Sequence, residues 1–211
     1  MNYSLGERHF PFTVSYKIYS TGDILVSGEM DTGAAELPEL PRFGMNFRIP
    51  ESFSQVKWYG RGPNENYWDR HTASFVGVYE KTVNEMYFPY VRPQENGYRT
   101  DIRWMTLTDE SGDGLMISGM PLFSASALPF TIQQLDYTES EFRHPTQLVP
   151  NDFIDVNVDY GQTGVGGNDS WGARPLQKYT LKAGKYSYSY RIRPVHKNID
   201  PMKASKVVFS Q

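Results

Sequence analysis

Cysteine is absent from the 211 residues. That excludes a disulfide framework, a thiolate metal site and a cysteine nucleophile, and it fits either redox compartment. Charge excess is small. Lys and Arg number 21 against 24 Asp and Glu, a formal net charge of -3. Such a balance leaves no basic footprint for nucleic acid. No apolar run reaches membrane-spanning length, and the N-terminus lacks a basic stretch followed by an apolar one. Histidine is scarce. His9, His71, His144 and His196 are scattered, and none has the partner spacing of a zinc site.

What the chain does have is aromatic residues and turn formers. Aromatics make up 15%, with 15 Tyr and 12 Phe, alongside 18 Gly and 14 Pro. Strand-favouring side chains broken by frequent turns predict an all-β protein. Period-2 alternation supports this. Phe12, Val14, Tyr16 and Ile18 form one stripe, and Ser20–Asp23 turns it into Ile24–Met30. Phe43, Met45, Phe47 and Ile49 form another, as do Ile154, Val156, Val158 and Tyr160, and then Tyr186, Tyr188, Tyr190 and Ile192. Further strands are expected at Gln55–Tyr59, Ser74–Tyr79, Asp101–Thr108, Leu115–Gly119 and Phe123–Ala127. Each stripe predicts an antiparallel strand with one packed face and one wet face. Asp155, Asn157 and Asp159 fall on the wet side. They also fail as a calcium loop, because Tyr160 and Gly166 stand where Gly and Glu are needed. One helix is expected, starting at Thr131 with Gln134 closing a capping box. Ile132, Leu135 and Phe142 would face the core, and His144-Pro145 would end it. Residues 31–41 read as an exposed crossing loop, and 196–211 as a tail or connection.

Three polar blocks stand outside the stripes. The first is Trp58-Tyr59-Gly60-Arg61-Gly62-Pro63-Asn64-Glu65-Asn66-Tyr67-Trp68-Asp69-Arg70, a tight turn after a strand. Glu65 invites a catalytic reading as general acid or nucleophile, but that work needs a pair of carboxylates, one raised in pKa by burial. One glutamate in a polar turn does not make that pair, and the same caution covers Asn84-Glu85. The second block, Pro93-Gln94-Glu95-Asn96-Gly97, combines stiff proline with an Asn-Gly turn. Glu95 and Arg99 are candidates for a salt bridge. The third is Gly166-Gly167-Asn168-Asp169-Ser170-Trp171. Its glycines open unusual dihedrals, and Asn168, Asp169 and Ser170 can bond local backbone. Trp171 then has two readings: folded back to anchor its own loop, or turned outward as a flat platform for a sugar ring.

In this order and spacing the blocks resemble the C-terminal β-domain of family 2 glycoside hydrolases of the β-galactosidase type. The resemblance runs from about Phe12 to Val195. It implies one domain over 1–211, an antiparallel supersandwich related to galactose mutarotase and short of its first strands. It also implies that Trp171 binds substrate at an active site formed with a neighbouring barrel, with Gly166, Gly167, Asn168, Asp169 and Ser170 supporting the loop. The family's catalytic glutamates belong to the barrel, so this chain carries no catalytic residue and no cofactor and is inactive alone. Mg and Na, where the whole enzyme uses them, would also sit in the barrel. The implied partners are a β-galactoside such as lactose, the barrel of the same polypeptide and further copies in a homo-oligomer, with neither nucleic acid nor membrane. The protein would be soluble, in cytoplasm or periplasm. Two alternatives stay open. One is a free-standing mutarotase-like epimerase or sugar-binding module, drawing on His71 or His144 with Glu95 or Glu141. The other is a non-catalytic interface module.

Overall fold

The computed structural model describes residues 2–5, 8–33, 37–136, 144–169 and 171–207. Among these residues ten strands form in chain order: β1 Asn2–Leu5, β2 Arg8–Ile18, β3 Ile24–Asp31, β4 Arg42–Pro50, β5 Gln55–Gly62, β6 Phe75–Thr82, β7 Arg99–Thr108, β8 Gly114–Leu128, β9 Phe153–Gln162 and β10 Lys185–Val195. Every pairing is antiparallel. The all-β expectation holds.

The two segments expected around Leu115–Gly119 and Phe123–Ala127 are one strand, β8, and it organises the sheet. One edge pairs with β7. On the other edge, residues 114–120 pair with β10 and residues 124–128 with β9. Pro121 falls between the two pairings, where a residue without an N–H cannot continue a ladder. The sheet therefore divides. One branch continues β10–β3–β2–β1 and the other β9–β4, while β7, β5 and β6 extend the common side.

The branches pack face to face. Phe43 of β4 meets Phe12 of β2 at 5.8 Å and Tyr188 of β10 at 5.2 Å, both edge-on. The Tyr188 hydroxyl donates to the Val158 carbonyl at 2.9 Å. Trp58, Ile102, Leu107, Val156 and Val158 are buried in the same core.

Several sequence expectations change. Tyr16 and Ile18 stay 65% and 74% exposed, so the β2 stripe packs only at its Phe12 end. Tyr160 leaves its stripe because β9 bulges there: Phe43 faces Gly161 while Gly44 faces Asp159. The wet side of β9 is not wet. Asp155, Asn157 and Asp159 are all buried. The expected crossing loop buries Leu40, which bridges to Leu181.

Among the described residues there are three single-turn helices rather than one: α1 Val83–Met86, α2 Ile132–Leu135 and α3 Pro201–Ala204. The Thr131–Gln134 capping box forms as read. Leu135 is buried, but Ile132 is partly exposed and faces no core, because one turn cannot sustain a helical stripe. Phe142 lies outside the described residues. His144 instead precedes a short 3-10 turn, Pro145–Gln147. The segment from His196 returns to the sheet through α3.

Candidate functional site

The loop after β9 is tied down at several points. Thr163 receives the Leu181 amide at 2.9 Å and donates to the Leu40 carbonyl at 2.7 Å. The Asp69 carboxylate then accepts from the amides of Val165 at 3.2 Å and Gly166 at 2.8 Å. The Arg70 guanidinium donates to the Gly166 carbonyl. Gly166 and Gly167 take φ of 61° and 71°, where a side chain is strained, and the Gly167 amide donates to the Ala173 carbonyl. A Cβ on Gly166 would fall 2.5 Å from that carbonyl oxygen. Asp169 Oδ1 accepts from the amides of Trp171 at 2.8 Å and Ala173 at 3.2 Å. This Asx turn closes the tip. Asn168 stands exposed and Ser170 lies outside the described residues. At the end of this braced turn Trp171 is 92% exposed.

The three polar blocks meet in space. The first contributes the Asp69 and Arg70 anchors to the third. It is joined to the second by Glu65, whose carboxylate accepts from the Gly97 amide at 2.8 Å and from the Tyr90 hydroxyl. Burial and this carboxylate push the Tyr90 phenol up to about 12. Glu65 is thus engaged in joining two turns. Asn84-Glu85 is equally local: Glu85 receives the Thr82 amide in a capping box, and this hydrogen bond holds its carboxyl below the ordinary value. Sequence reasoning missed Asp69 and Arg70 as loop anchors, since a contact across 96 residues has no periodic signature.

Glu95 does not pair with Arg99. Arg99 donates to the carbonyls of Tyr98 at 3.1 Å and Pro63 at 3.0 Å and lies over the Trp58 ring. Glu95 instead faces Arg42 at 3.5 Å. Arg42 also sits 3.3 Å from Asp159 and donates to Gln162 at 2.6 Å. Burial raises the Glu95 carboxyl, and it pushes Asp159 up to about 7 despite the Arg42 cation. The histidines considered for proton transfer are placed elsewhere. His144 is exposed, while burial and Arg61 lower the His71 imidazole. Glu141 lies outside the described residues. No helix of the described residues is long and apolar enough to cross a membrane.

The fold and site define an antiparallel β domain that holds one tryptophan outward on a braced loop. The chain belongs to the β-galactosidase small chain family, whose profile matches residues 2–192. It is 38% identical over 183 residues to a β-galactosidase of Priestia megaterium, covering 86% of this chain and 17% of that protein. To the β-galactosidase of Lactobacillus delbrueckii subsp. bulgaricus it is 35% identical, covering 82% of this chain and 16% of that protein. A Streptococcus thermophilus β-galactosidase is 34% identical, with 87% and 18% covered. The chain therefore spans less than a fifth of the length of these relatives.

Proposed function

We propose that this chain is the C-terminal β region of a family 2 β-galactosidase that cleaves terminal β-D-galactosides with retention. Its role is to position substrate and to buttress a catalytic barrel. The observation that carries this reading is Trp171: an indole 92% exposed at the tip of a loop fixed by Asp69, Arg70 and Asp169. Leaving so large an apolar group in water has no structural return, whereas a flat ring held in place stacks well on the C–H face of a sugar. Preorganisation of the loop lowers the entropy lost when that stack forms.

The attacking and proton-donating carboxylates belong to the barrel, where one forms the glycosyl-enzyme bond and the other protonates the leaving oxygen. Any Mg or Na would sit there too, and the assembled enzyme would be a homo-oligomer. Trp171 would contact the leaving-group side, so it would also bias whether water or a second sugar accepts the galactosyl unit.

In the longer polypeptide, Trp171→Ala should raise KM for a galactoside by about tenfold, the size of one lost aromatic stack, and Trp171→Phe should recover part of it. Unchanged KM in the alanine variant would remove Trp171 from the substrate site. The 211-residue chain alone should not turn over a chromogenic β-galactoside, and robust turnover would place the catalytic pair within it.

A further inference from the structure

A concavity of about 340 Å³ does not include Trp171 among its lining residues. Its polar side comes from three neighbouring strands and one loop: Arg42 on β4, Asn157 on β9, Ser126 on β8, and Glu95. Its apolar side is Phe130 and Leu135, where the chain leaves β8 and enters α2. Of the buried polar residues on β9, Asn157 forms part of its lining.

The polar groups are prearranged and incompletely used. Asn157 donates to Ser126 Oγ at 3.1 Å and accepts from Asn46 at 3.1 Å. An amide has two donors and an acceptor with two lone pairs, so capacity remains on both atoms, and the Ser126 hydroxyl keeps its own proton to give. Arg42 is held through Nε and Nη2 by Asp159, Glu95 and Gln162, while its buried Nη1 has no hydrogen-bond partner among the described residues.

The charge pattern selects the ligand class. Arg42 is opposed by Glu95 and Asp159 at 3.5 Å and 3.3 Å, and Asp136 also lines the wall, so an anion entering the bowl meets carboxylates and a cation meets a guanidinium. A neutral molecule with several hydroxyls satisfies both. The volume lies at the small end of the ~300–1,000 Å³ usual for ligand pockets, enough for a single ring. Phe130, fixed edge-on against Tyr87 at 4.9 Å, supplies a rigid apolar wall for a ring's C–H face. We propose that this bowl binds a neutral pyranose sugar, at a site distinct from Trp171 and independent of the role given to that residue.

Saturation-transfer NMR on the 211-residue chain tests this, with D-galactose and D-glucose as sugars and inorganic phosphate and ethanolamine as charged probes. Transfer to the C–H protons of at least one sugar is expected. Ile132→Trp adds bulk at the partly exposed rim and should abolish the transfer. Glu95→Gln keeps the shape, loses a charge-assisted hydrogen bond and should weaken affinity about tenfold. Phe75→Ala, at an exposed aromatic outside both the bowl and the tryptophan loop, should leave the transfer intact. Absence of transfer from both sugars overturns the proposal, as does full transfer in Ile132→Trp and Glu95→Gln, or displacement of sugar by phosphate or ethanolamine at lower concentration. Loss of transfer in Trp171→Ala alone would move binding to the tryptophan loop and equally sink it. KM in the Trp171 variants bears only on the tryptophan, so the two ideas fail separately.

Discussion

Asp159 has 1% of its side chain exposed and faces Arg42 at 3.3 Å, yet burial still lifts its carboxyl from 3.8 to about 7. Desolvation outweighs the neighbouring cation, and Glu95 pushes the same way. Stability must then depend on pH with a definite sign. Between about 4 and 7 the native carboxyl keeps a proton that the unfolded chain releases, so the native state binds more protons. The contribution to stability is complete below the unfolded value, falls as pH rises through this window and is flat above it. Glu95, also raised by burial, adds a component of the same sign. Asp159→Asn removes the proton but keeps the shape. The variant should lose less unfolding midpoint than the parent chain when pH goes from 5 to 8, by denaturant titration at both values. Identical pH dependence in the two proteins would show that Asp159 does not titrate there. The alternation of β9 was legible as a pattern, but its meaning was not. Period 2 says which residues share a face. It cannot say that Glu95 and α2, distant in sequence, return to cover that face.

Among the strands, the β4–β9 pair shows how a single irregularity sets the site. The bulge at Tyr160 opposes Phe43 to Gly161 and Gly44 to Asp159. Gly44 is required there: a Cβ would lie 1.8 Å from Asp159 Oδ1 and 2.8 Å from its Cα. The second contact is with backbone, so a rotamer change cannot relieve it. Gly44→Ala should destabilise by about 2–3 kcal/mol, as overpacking does, and should disturb the Arg42–Asp159 pair beneath the bowl. Gly184→Ala is the control, since its Cβ would meet nothing closer than Tyr186 at 3.9 Å. Equal unfolding midpoints for the two variants would refute the steric account. Element by element, the strands were readable because alternation is local, and so was the Thr131 capping box. The equivalent box at Thr82–Glu85 uses the same chemistry but follows a strand without a break, so nothing in the pattern separated it. Bulges are less readable still, because the extra residue continues the alternation in sequence while breaking it in space.

For the molecule as a whole, the core is divided in the same way as the sheet. The larger part fills the space between the branches. A smaller cluster of Trp104, Met116, Val195 and Ala204 forms on the other face, with Tyr59, Ile199 and Met202 packed around it. The returning C-terminal segment closes this second cluster. Asp200 caps α3 by accepting from Met202 at 2.9 Å, with Pro201 at the first helical position. Arg191 of β10 then donates to the carbonyls of Ala204 at 2.5 Å and Val207 at 2.7 Å while facing Asp23 at 3.5 Å. A segment that looked like a tail, because alternation stops at His196, therefore covers a buried tryptophan and satisfies a buried arginine. Ending the chain after Lys197 should expose Trp104, now 2% accessible, and leave Arg191 to face Asp23 without those carbonyls. We expect a loss of about 2–4 kcal/mol, comparable to removing large core side chains, and a red shift in tryptophan emission. Trp58 lies in the larger core, Trp68 packs against it and Trp171 is already exposed, so the shift should disappear when Trp104→Phe is combined with the truncation. A truncated chain with unchanged emission and midpoint would mean that the segment rests on the sheet without stabilising it.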